Sequence, residues 1–335
     1  MLAGKVEFCI SDNCSNDGTP DVVKKWTARM PLRYNRNKSN LGYDRNVIAA
    51  IRLANGRYTW IMGDDDLVLP GSLSALADAV ELAGKNGVGA VYVNFLVGKN
   101  PAGRLGFPSI RFFSAGSKDC PFLNVSFGGA VCLDRNTACA IIKNKIRQSG
   151  TGISKTGRFP HALDDFAHSY LFLECAAHSG RIGVFPAPCV QIVADGESTS
   201  YERKLYLDII LMMYSLEARQ AYPWFHDGAK NYNSKAMLVR AALSTLRPRL
   251  SEPYRTSIAL HKKLLAQDGN RLEGAIISAI DLAFRIPLAK SFLACSFLAI
   301  KRACGRTKIN DAEDNSDYMK QRLAFAVSRA KKLLA

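Results

Sequence analysis

The sequence predicts an α/β fold: alternating strands and helices around a mostly parallel sheet, followed by a mostly helical, basic C-terminal region. Three observations lead there. Short β-rich runs alternate with helical patterns through residue 133. Loop formers cluster at the ends of those runs. From His161 onward the apolar spacing is mostly helical.

The elements follow in order. Val6 to Ile10 is a β-rich run that ends in the loop formers Ser11 to Pro20. A helix follows, with Asp21 in its first turn. Arg33 to Asn40 is polar and basic and carries no clear period. Tyr43 to Asn55 reads as a helix, with Val47, Ile48, Ile51 and Ala54 at helical spacing and Gly56 as its stop. Arg57 to Met62 is a strand that runs straight into Gly63-Asp64-Asp65-Asp66. Pro70 opens a second helix with Leu73, Leu76, Ala77 and Val80 on one face. Val88 to Val97 and Phe122 to Leu133 are further strands, and 98–121 is an irregular insertion. Helices are then expected at about 161–179, 202–220, 234–246, 253–267, 271–304 and 317–334. This divides the chain into 1–200 and 201–335.

Composition limits the classes of function. The 335 residues are 48% hydrophobic and 22% charged, which fits a globular chain able to bury a core without disulfides. Nine scattered cysteines with no C-x-x-C pair argue for reduced thiols rather than a zinc knuckle. No signal peptide and no membrane span is expected, which points to the cytoplasm. The net charge is +16, of which +11 lies in 201–335 (23 basic against 12 acidic residues). That asymmetry suggests a polyanionic partner: a membrane surface, nucleic acid or a phosphorylated substrate. A nucleic-acid surface would interleave aromatics with basic residues, whereas Lys262-Lys263 and Lys331-Lys332 are isolated doublets, so none is expected.

Four constellations carry possible chemistry. Asp64, Asp65 and Asp66 follow a β run, where their mutual repulsion calls for a cation. A divalent metal bridging phosphates fits oxygen ligands at a strand's C-terminal end. A solvated acidic turn capping the next helix is the competing reading. In Ser11 to Thr19, Asp12 can accept from a base N–H or a ribose hydroxyl, while Ser15 and Asp17 can close local turns. An Asx-type turn explains the same residues. Asn40-Leu41-Gly42-Tyr43-Asp44-Arg45-Asn46 opens a helix, and a helix N-terminus with a nearby Arg suits a diphosphate. A capped surface helix is the alternative. His161, Asp164, Asp165 and His168 share one helix face and can supply a general base. A capping His–Asp pair is the alternative there.

The order S-D-N-C-S-N-D-G-T, N-L-G-Y-D-R-N, then W-I-M-G-D-D-D-L-V-L-P-G-S-L resembles the nucleotide-sugar half of family 2 glycosyltransferases. The form is similar to the bacterial abequosyltransferase-type branch, which acts on lipid-linked O-antigen or similar surface polysaccharide. The resemblance implies a GT-A, Rossmann-like mixed sheet and metal-dependent transfer with inversion, using Mg²⁺ or Mn²⁺. It implies a nucleotide-sugar donor contacted by Asp12, Asn13, Ser15, Asn40, Gly42, Arg45, Asn46 and Asp64. Within that set Asp12 matches the base contact, and Arg45 and Asn46 the polar pair near the diphosphate. Gly63 stands at the first Asp of the family's D-x-D-D. Asp64 is then the candidate for the ribose contact, Asp65 for the principal metal ligand and Asp66 for loop support. The family's Glu-Asp base pair is absent as such; Asp164-Asp165 is the nearest match, with His161 or His168 as fallback.

The resemblance also implies a lipid-linked saccharide acceptor and a peripheral position on the inner face of the cell membrane. Leu288, Phe292, Cys295, Phe297 and Leu298, flanked by Lys290, Lys301 and Arg302, are candidates for an interfacial surface; a plain helical core is the alternative. Family members carry a strand and helix well before the first motif, whereas Asp12 here follows only eleven residues. The expectation is a sheet lacking its first strand, with weak stability and little activity. A truncated inactive paralogue, a basic nucleic-acid- or membrane-binding protein and a sugar-nucleotide pyrophosphorylase are the competing functions. The last would need a Gly-rich phosphate loop near its start, and none is visible.

Overall fold

In the computed structural model of the chain the residues described are 4–102, 105–115, 117, 119–121, 123, 125, 127–148, 166–192, 206, 209–210, 212–214, 216–217, 251–267, 271–283 and 317–334. They fall in two compact units, 1–193 with 218–227, and 194–217 with 228–335.

The first unit begins with β1 (Phe8–Asp12), α1 (Thr19–Thr27) and β2 (Leu32–Arg36). Pro20 opens α1, Asp21 sits in its first turn and Lys24 and Lys25 in its last, an arrangement that complements the helix dipole. Strands β1 and β2 pair in parallel, from Phe8 opposite Leu32 to Asp12 opposite Arg36. Helix α2 (Tyr43–Leu53) buries Val47, Ile48 and Ile51, as their spacing predicts. Strands β3 (Tyr58–Trp60) and β4 (Asp66–Val68) flank the acidic loop, and α3 (Ser72–Lys85) follows Pro70.

Next come β5 (Ala90–Val97), β6 (Asn100–Pro101), β7 (Arg111–Ser114), a 3₁₀ turn at Gly128–Ala130, β8 (Val131–Asp134), α4 (Arg135–Gln148), α5 (Ala167–Ser179) and β9 (Arg181–Ile192). Seven strands form one sheet in the order β3-β8-β5-β9-β4, with β6 on β5 and β7 on β9. Strands β1 and β2 form a second, two-stranded sheet. Ile48, Ile51, Tyr92, Phe95, Leu133, Ile142, Leu171 and Phe172 are the largest fully enclosed side chains described in the first unit.

The α/β layer is as expected, and the sheet is mixed, as the resemblance implies, rather than mostly parallel as the strand–helix alternation alone suggests. Only β5–β9 is parallel within the large sheet; its other pairings are antiparallel. The strand expected at 122–133 is confined to β8, preceded by the 3₁₀ turn. Strand β9, which pairs with β4, β5 and β7, falls between the helices expected at 161–179 and 202–220, where no element is expected from the sequence. Pro186 and Pro188 read as breakers in the sequence. The register shifts between Val93 and Phe95, and there Asn94 Nδ2 donates to the Pro186 carbonyl at 2.8 Å. The bulge admits a residue that a regular ladder would exclude.

In the second unit, α6 (Ser251–Gln267) packs against both α7 (Arg271–Ala283) and α8 (Asp317–Leu334). Arg329 Nη2 donates to both carboxylate oxygens of Glu217, at 2.6 and 2.8 Å. Lys262 pairs with the buried Asp281, Lys263 donates to the Leu333 carbonyl, and Lys331 pairs with Glu252. Part of the basic excess is therefore engaged inside this unit. Among the described residues no helix is long and apolar enough to cross a membrane. The proposed interfacial residues 288–302 lie outside the described residues, as do the helix expected at 234–246 and the end of that expected at 271–304.

Candidate nucleotide-sugar site

The site is built at the ends of β1 and β3 and at the start of α2. Asp12 ends β1 with its side chain fully enclosed. Its Oδ1 accepts the Ser15 N–H at 2.7 Å and its Oδ2 the Tyr34 hydroxyl at 2.7 Å, with Arg36 Nε at 3.4 Å. Burial pushes the Asp12 carboxyl up, but the hydrogen bonds from Ser15 and Tyr34 and the Arg36 charge outweigh it and hold the group below the usual carboxylate range. Tyr34 and Arg36 alternate along β2 and so reach the same side. Arg36 Nη2 also donates to the Ser15 carbonyl at 2.5 Å. Asp12 thus shapes the turn that bears Asn13 and Ser15.

That turn is held under strain. Cys14 has φ 69°, a left-handed backbone that a Cβ disfavours. Cys14→Gly is expected to stabilise the fold by about 0.5–1 kcal/mol, the relieved strain exceeding the extra freedom of an unfolded glycine. Urea titration measures this. A loss of stability would mean that the thiol's packing outweighs the strain.

A mesh of amides ties the turn to α2. Asn13 Oδ1 accepts the Leu41 N–H at 2.8 Å while its Nδ2 donates to Asn40 Oδ1 at 2.8 Å. Asn40 Oδ1 also accepts the Gly42 N–H at 2.9 Å. Gly42 has φ 81°, so the chain enters α2 through a conformation that glycine suits. Asn46 Nδ2 donates to the Ser11 carbonyl at 2.9 Å, and its Oδ1 accepts from Ser11 Oγ at 2.7 Å and Asn37 Nδ2 at 2.9 Å. Arg45 is half-buried on the first turn of α2.

The acidic loop stands beside this helix start. Asp64 and Asp65 are exposed and Asp66 is half-buried. A Cβ on Gly63 would lie 2.6 Å from Asp65 Oδ1 and 3.0 Å from Asp66 Oδ2, so both carboxylates fold back over Gly63. A side chain at 63 would have to displace these carboxylate ends. Burial, then the charges of Asp65 and Asp64, push the Asp66 carboxyl up to about 6. Among the described residues no three His, Cys, Asp or Glu side chains converge in a metal-holding group. Asp65 and Asp66 repel one another, only partly offset by the Gly63 backbone hydrogen bond to Asp66; a divalent cation would relieve that repulsion, and carboxylate oxygens are the donors a hard cation prefers.

Several residues of this site escaped the sequence reading. Tyr43 is 54% exposed. Its packed surroundings, then Asp44, Asp66 and Asp65, push its phenol well above the ordinary tyrosine value and keep it protonated. Its ring meets His168 edge-on at 5.7 Å between centroids. A Cβ on Gly128 would lie 3.0 Å from the Tyr43 hydroxyl and 3.5 Å from Ile61 Cγ2. The indole of Trp60 donates to the Gly129 carbonyl at 2.8 Å, which pins the 3₁₀ turn over β3. Asp44, buried, accepts the Ala167 N–H at 2.8 Å and so caps α5 from a distant part of the chain. His168 is buried between Tyr43 and Phe166 and serves to pack Tyr43. His161, Asp164 and Asp165 lie outside the described residues.

Residues 2–143 match the family model described as Glycosyl transferase family 2. Abequosyltransferase RfbV of Salmonella typhimurium (strain LT2) is 48% identical over 73 residues, which are 21% of this chain and 22% of that protein. An uncharacterized glycosyltransferase of Mycoplasma pneumoniae, the MG060 homolog, is 34% identical over 84 residues, 24% of this chain and 28% of that one. The chain thus spans less than a third of the length of these curated relatives. The crystal structure of S. aureus TarS 1–349 aligns with a TM-score of 0.50 at 14% identity, over 88% of this chain and 82% of that one, a likeness of fold alone. Residues 2–143 thus resemble the family 2 glycosyl transferases, and the chain shares the GT-A α/β fold.

Proposed function

We propose that this chain transfers a sugar from a nucleotide-sugar donor to a hydroxyl of a lipid-linked saccharide acceptor, with inversion at the anomeric carbon. The observation that carries the reading is the grouping of the Asp65–Asp66 pair with the first turn of α2, which is tied by Asn13, Asn40 and Asn46 to the end of β1. The stretch shared with the abequosyltransferase supports a surface-polysaccharide acceptor. The +11 of 201–335 supports docking at an anionic membrane face from the cytoplasmic side.

Asp65 is the proposed principal ligand of Mg²⁺ or Mn²⁺, with Asp66 and Asp64 beside it. A divalent ion there would neutralise a diphosphate leaving group. The chain's own residues do the rest. The turn of Asp12, Asn13 and Ser15 holds the base and ribose, with Asp64 on the ribose. Asn40, Gly42, Arg45 and Asn46 set the diphosphate at the start of α2. A carboxylate of Asp164 or Asp165, with His161 as second choice, takes the proton of the acceptor hydroxyl. That oxygen forms the new bond to the anomeric carbon as the bond to the diphosphate breaks on the opposite face.

The test is calorimetric titration of the purified chain with UDP-glucose, GDP-mannose, CDP-glucose and TDP-glucose, with Mn²⁺ and with EDTA. Binding of at least one donor, lost in EDTA, is expected; no binding of any donor would sink the reading. The Asp66 carboxyl adds a pH signature. Below about 6 it takes a proton that competes with the metal. Metal-dependent binding is therefore expected to weaken, by at most about tenfold per pH unit for one proton, as pH falls from 7.5 through 6. The metal-free fold responds the other way. Its raised carboxyl binds a proton more readily than the unfolded chain, so this group's penalty is complete above about 6 and fades as pH falls toward 4. A flat binding profile between 7.5 and 5 would remove Asp66 from the ion's surroundings.

A further inference from the structure

Helix α1 is almost bare. Of its nine residues only Val23 is buried. Val22 is 51% exposed and Trp26 49%. With the exposed Lys25 and Arg29 they stand at i, i+3, i+4 and i+7, so the four share one stripe. The Arg29 N–H donates to the Trp26 carbonyl at 2.9 Å just past the helix end, and its guanidinium lies over the indole at 5.6 Å.

The charge around this stripe is one-sided. Residues 19–38 hold six basic residues against Asp21 alone, a net +5 that equals the net charge of all of 1–200. Lys24, Lys25, Arg29, Arg33 and Lys38 are exposed, and among the described residues no carboxylate pairs with any of them. In the second unit, by contrast, Lys262, Arg329 and Lys331 are engaged with Asp281, Glu217 and Glu252. An indole and a branched aliphatic set among cations that no carboxylate neutralises make up a surface for lipid headgroups. The cations meet phosphate, and the amphipathic indole lies at the boundary with the acyl chains. Nucleic acid fits less well: Val22 has no ring to stack on bases, and Arg29 already covers one face of Trp26.

We propose that α1 docks this chain on an anionic lipid surface, with Val22 and Trp26 entering the headgroup layer and Lys25 and Arg29 pairing with lipid phosphates. The surface stands on its own chemistry. Its purpose rests on the glycosyltransferase reading above, which it deepens: a lipid-linked acceptor lies in such a surface, and α1 is where the first unit meets it. Asp17 Oδ1 accepts the Thr19 N–H at 2.9 Å where α1 begins. The docking helix thus grows directly out of the loop that carries Asn13 and Ser15.

The test is co-sedimentation of the purified full chain with vesicles of phosphatidylcholine, with and without phosphatidylglycerol, beside titration with the same donor panel. The chain is expected to bind the vesicles that contain phosphatidylglycerol, less so as salt rises, and to leave the neutral ones. Lys25→Gln combined with Arg29→Gln is expected to weaken that binding about 20-fold, roughly fivefold for each charge. Trp26→Ala is expected to weaken it about fivefold through lost apolar contact. Donor binding should stay within about twofold in each variant, because none of these residues belongs to the site. Vesicle binding that the substitutions leave unchanged would overturn the inference and pass the docking to residues 201–335. Equal binding to both kinds of vesicle would overturn it too. Tighter binding, phosphate for phosphate, to a single-stranded oligonucleotide would assign the surface to nucleic acid instead. If Trp26→Ala fails to fold, the charge substitutions alone decide, since both residues are exposed. Donor binding without vesicle binding overturns this inference and spares the glycosyltransferase reading; vesicle binding without donor binding does the reverse.

Discussion

Asp65→Ala is expected to abolish Mn²⁺-dependent nucleotide-sugar binding, a loss of at least about 100-fold, more than disturbing a metal's outer-shell partners costs. The magnitude follows from how few groups are available. Asp65 Oδ1 and Asp66 Oδ2 both lie close to where a Cβ on Gly63 would stand, so they are two oxygens of the loop that converge there. Removing Asp65 leaves the half-buried Asp66, with only the exposed Asp64 beside it, to hold a divalent ion. The change should cost the fold little, because Asp65 is exposed and the repulsion that raises Asp66 is partly relieved. The melting temperature without metal should therefore stay level or rise. Calorimetric titration in Mn²⁺, beside a melting curve in EDTA, separates the two effects. Unchanged donor binding would take Asp65 out of the site.

Gly89→Ala is expected to destabilise the chain by about 3 kcal/mol, at the upper end of what overpacking a core costs. An added Cβ would fall 2.2 Å from the Cys175 carbonyl oxygen and 2.8 Å from Ser179 Oγ. The first is backbone within α5 and cannot swing aside. Gly89 cannot retreat either. Its N–H donates to Ser179 Oγ at 2.9 Å, and its carbonyl accepts the Asp134 N–H at 2.9 Å. The residue is thus clamped between the end of α5 and the end of β8. For a unit of this size the cost corresponds to a fall in melting temperature of roughly 10 °C. A fall of less than about 2 °C would mean that α5 shifts outward at little cost.

The elements legible in the sequence are those whose period survives in one segment. Helix α2 shows it through Val47, Ile48 and Ile51, and β5 through an apolar run, interrupted only by Asn94, that ends before Gly98. Strand β2 was illegible because four of its five residues are exposed. It is a strand by virtue of pairing with β1, a non-local cause. Strand β9 hid behind two prolines that only the bulge opposite Asn94 accommodates. Helix α4 falls between the strand expected at 122–133 and the helix expected from 161, where the sequence reading assigns no element. The site divides along the same line. Asp12, Asn13, Asn46 and the acidic loop announce themselves as contiguous motifs. Tyr43 with Gly128, and Asp44 with Ala167, meet only in three dimensions, and no spacing reveals them.

The split between the two sheets has a consequence for how the molecule behaves in concentrated solution. Strand β1 carries β2 on one side, and β3 closes the order of the seven-stranded sheet with β8 on one side. Among the described residues no strand lies on the other side of either. Each edge is a row of amides and carbonyls that a foreign backbone can read, and Phe8 offers an apolar foothold at 40% exposure. Two devices blunt them. Asn46 covers the Ser11 carbonyl, and Glu7 accepts the N–H groups of Asn55 and Gly56 just ahead of β3, each at 2.5 Å. The residual stickiness is therefore concentrated in Phe8 to Ile10. Pairing of one copy's edge with another's, which rises with protein concentration, is the hazard that edge carries.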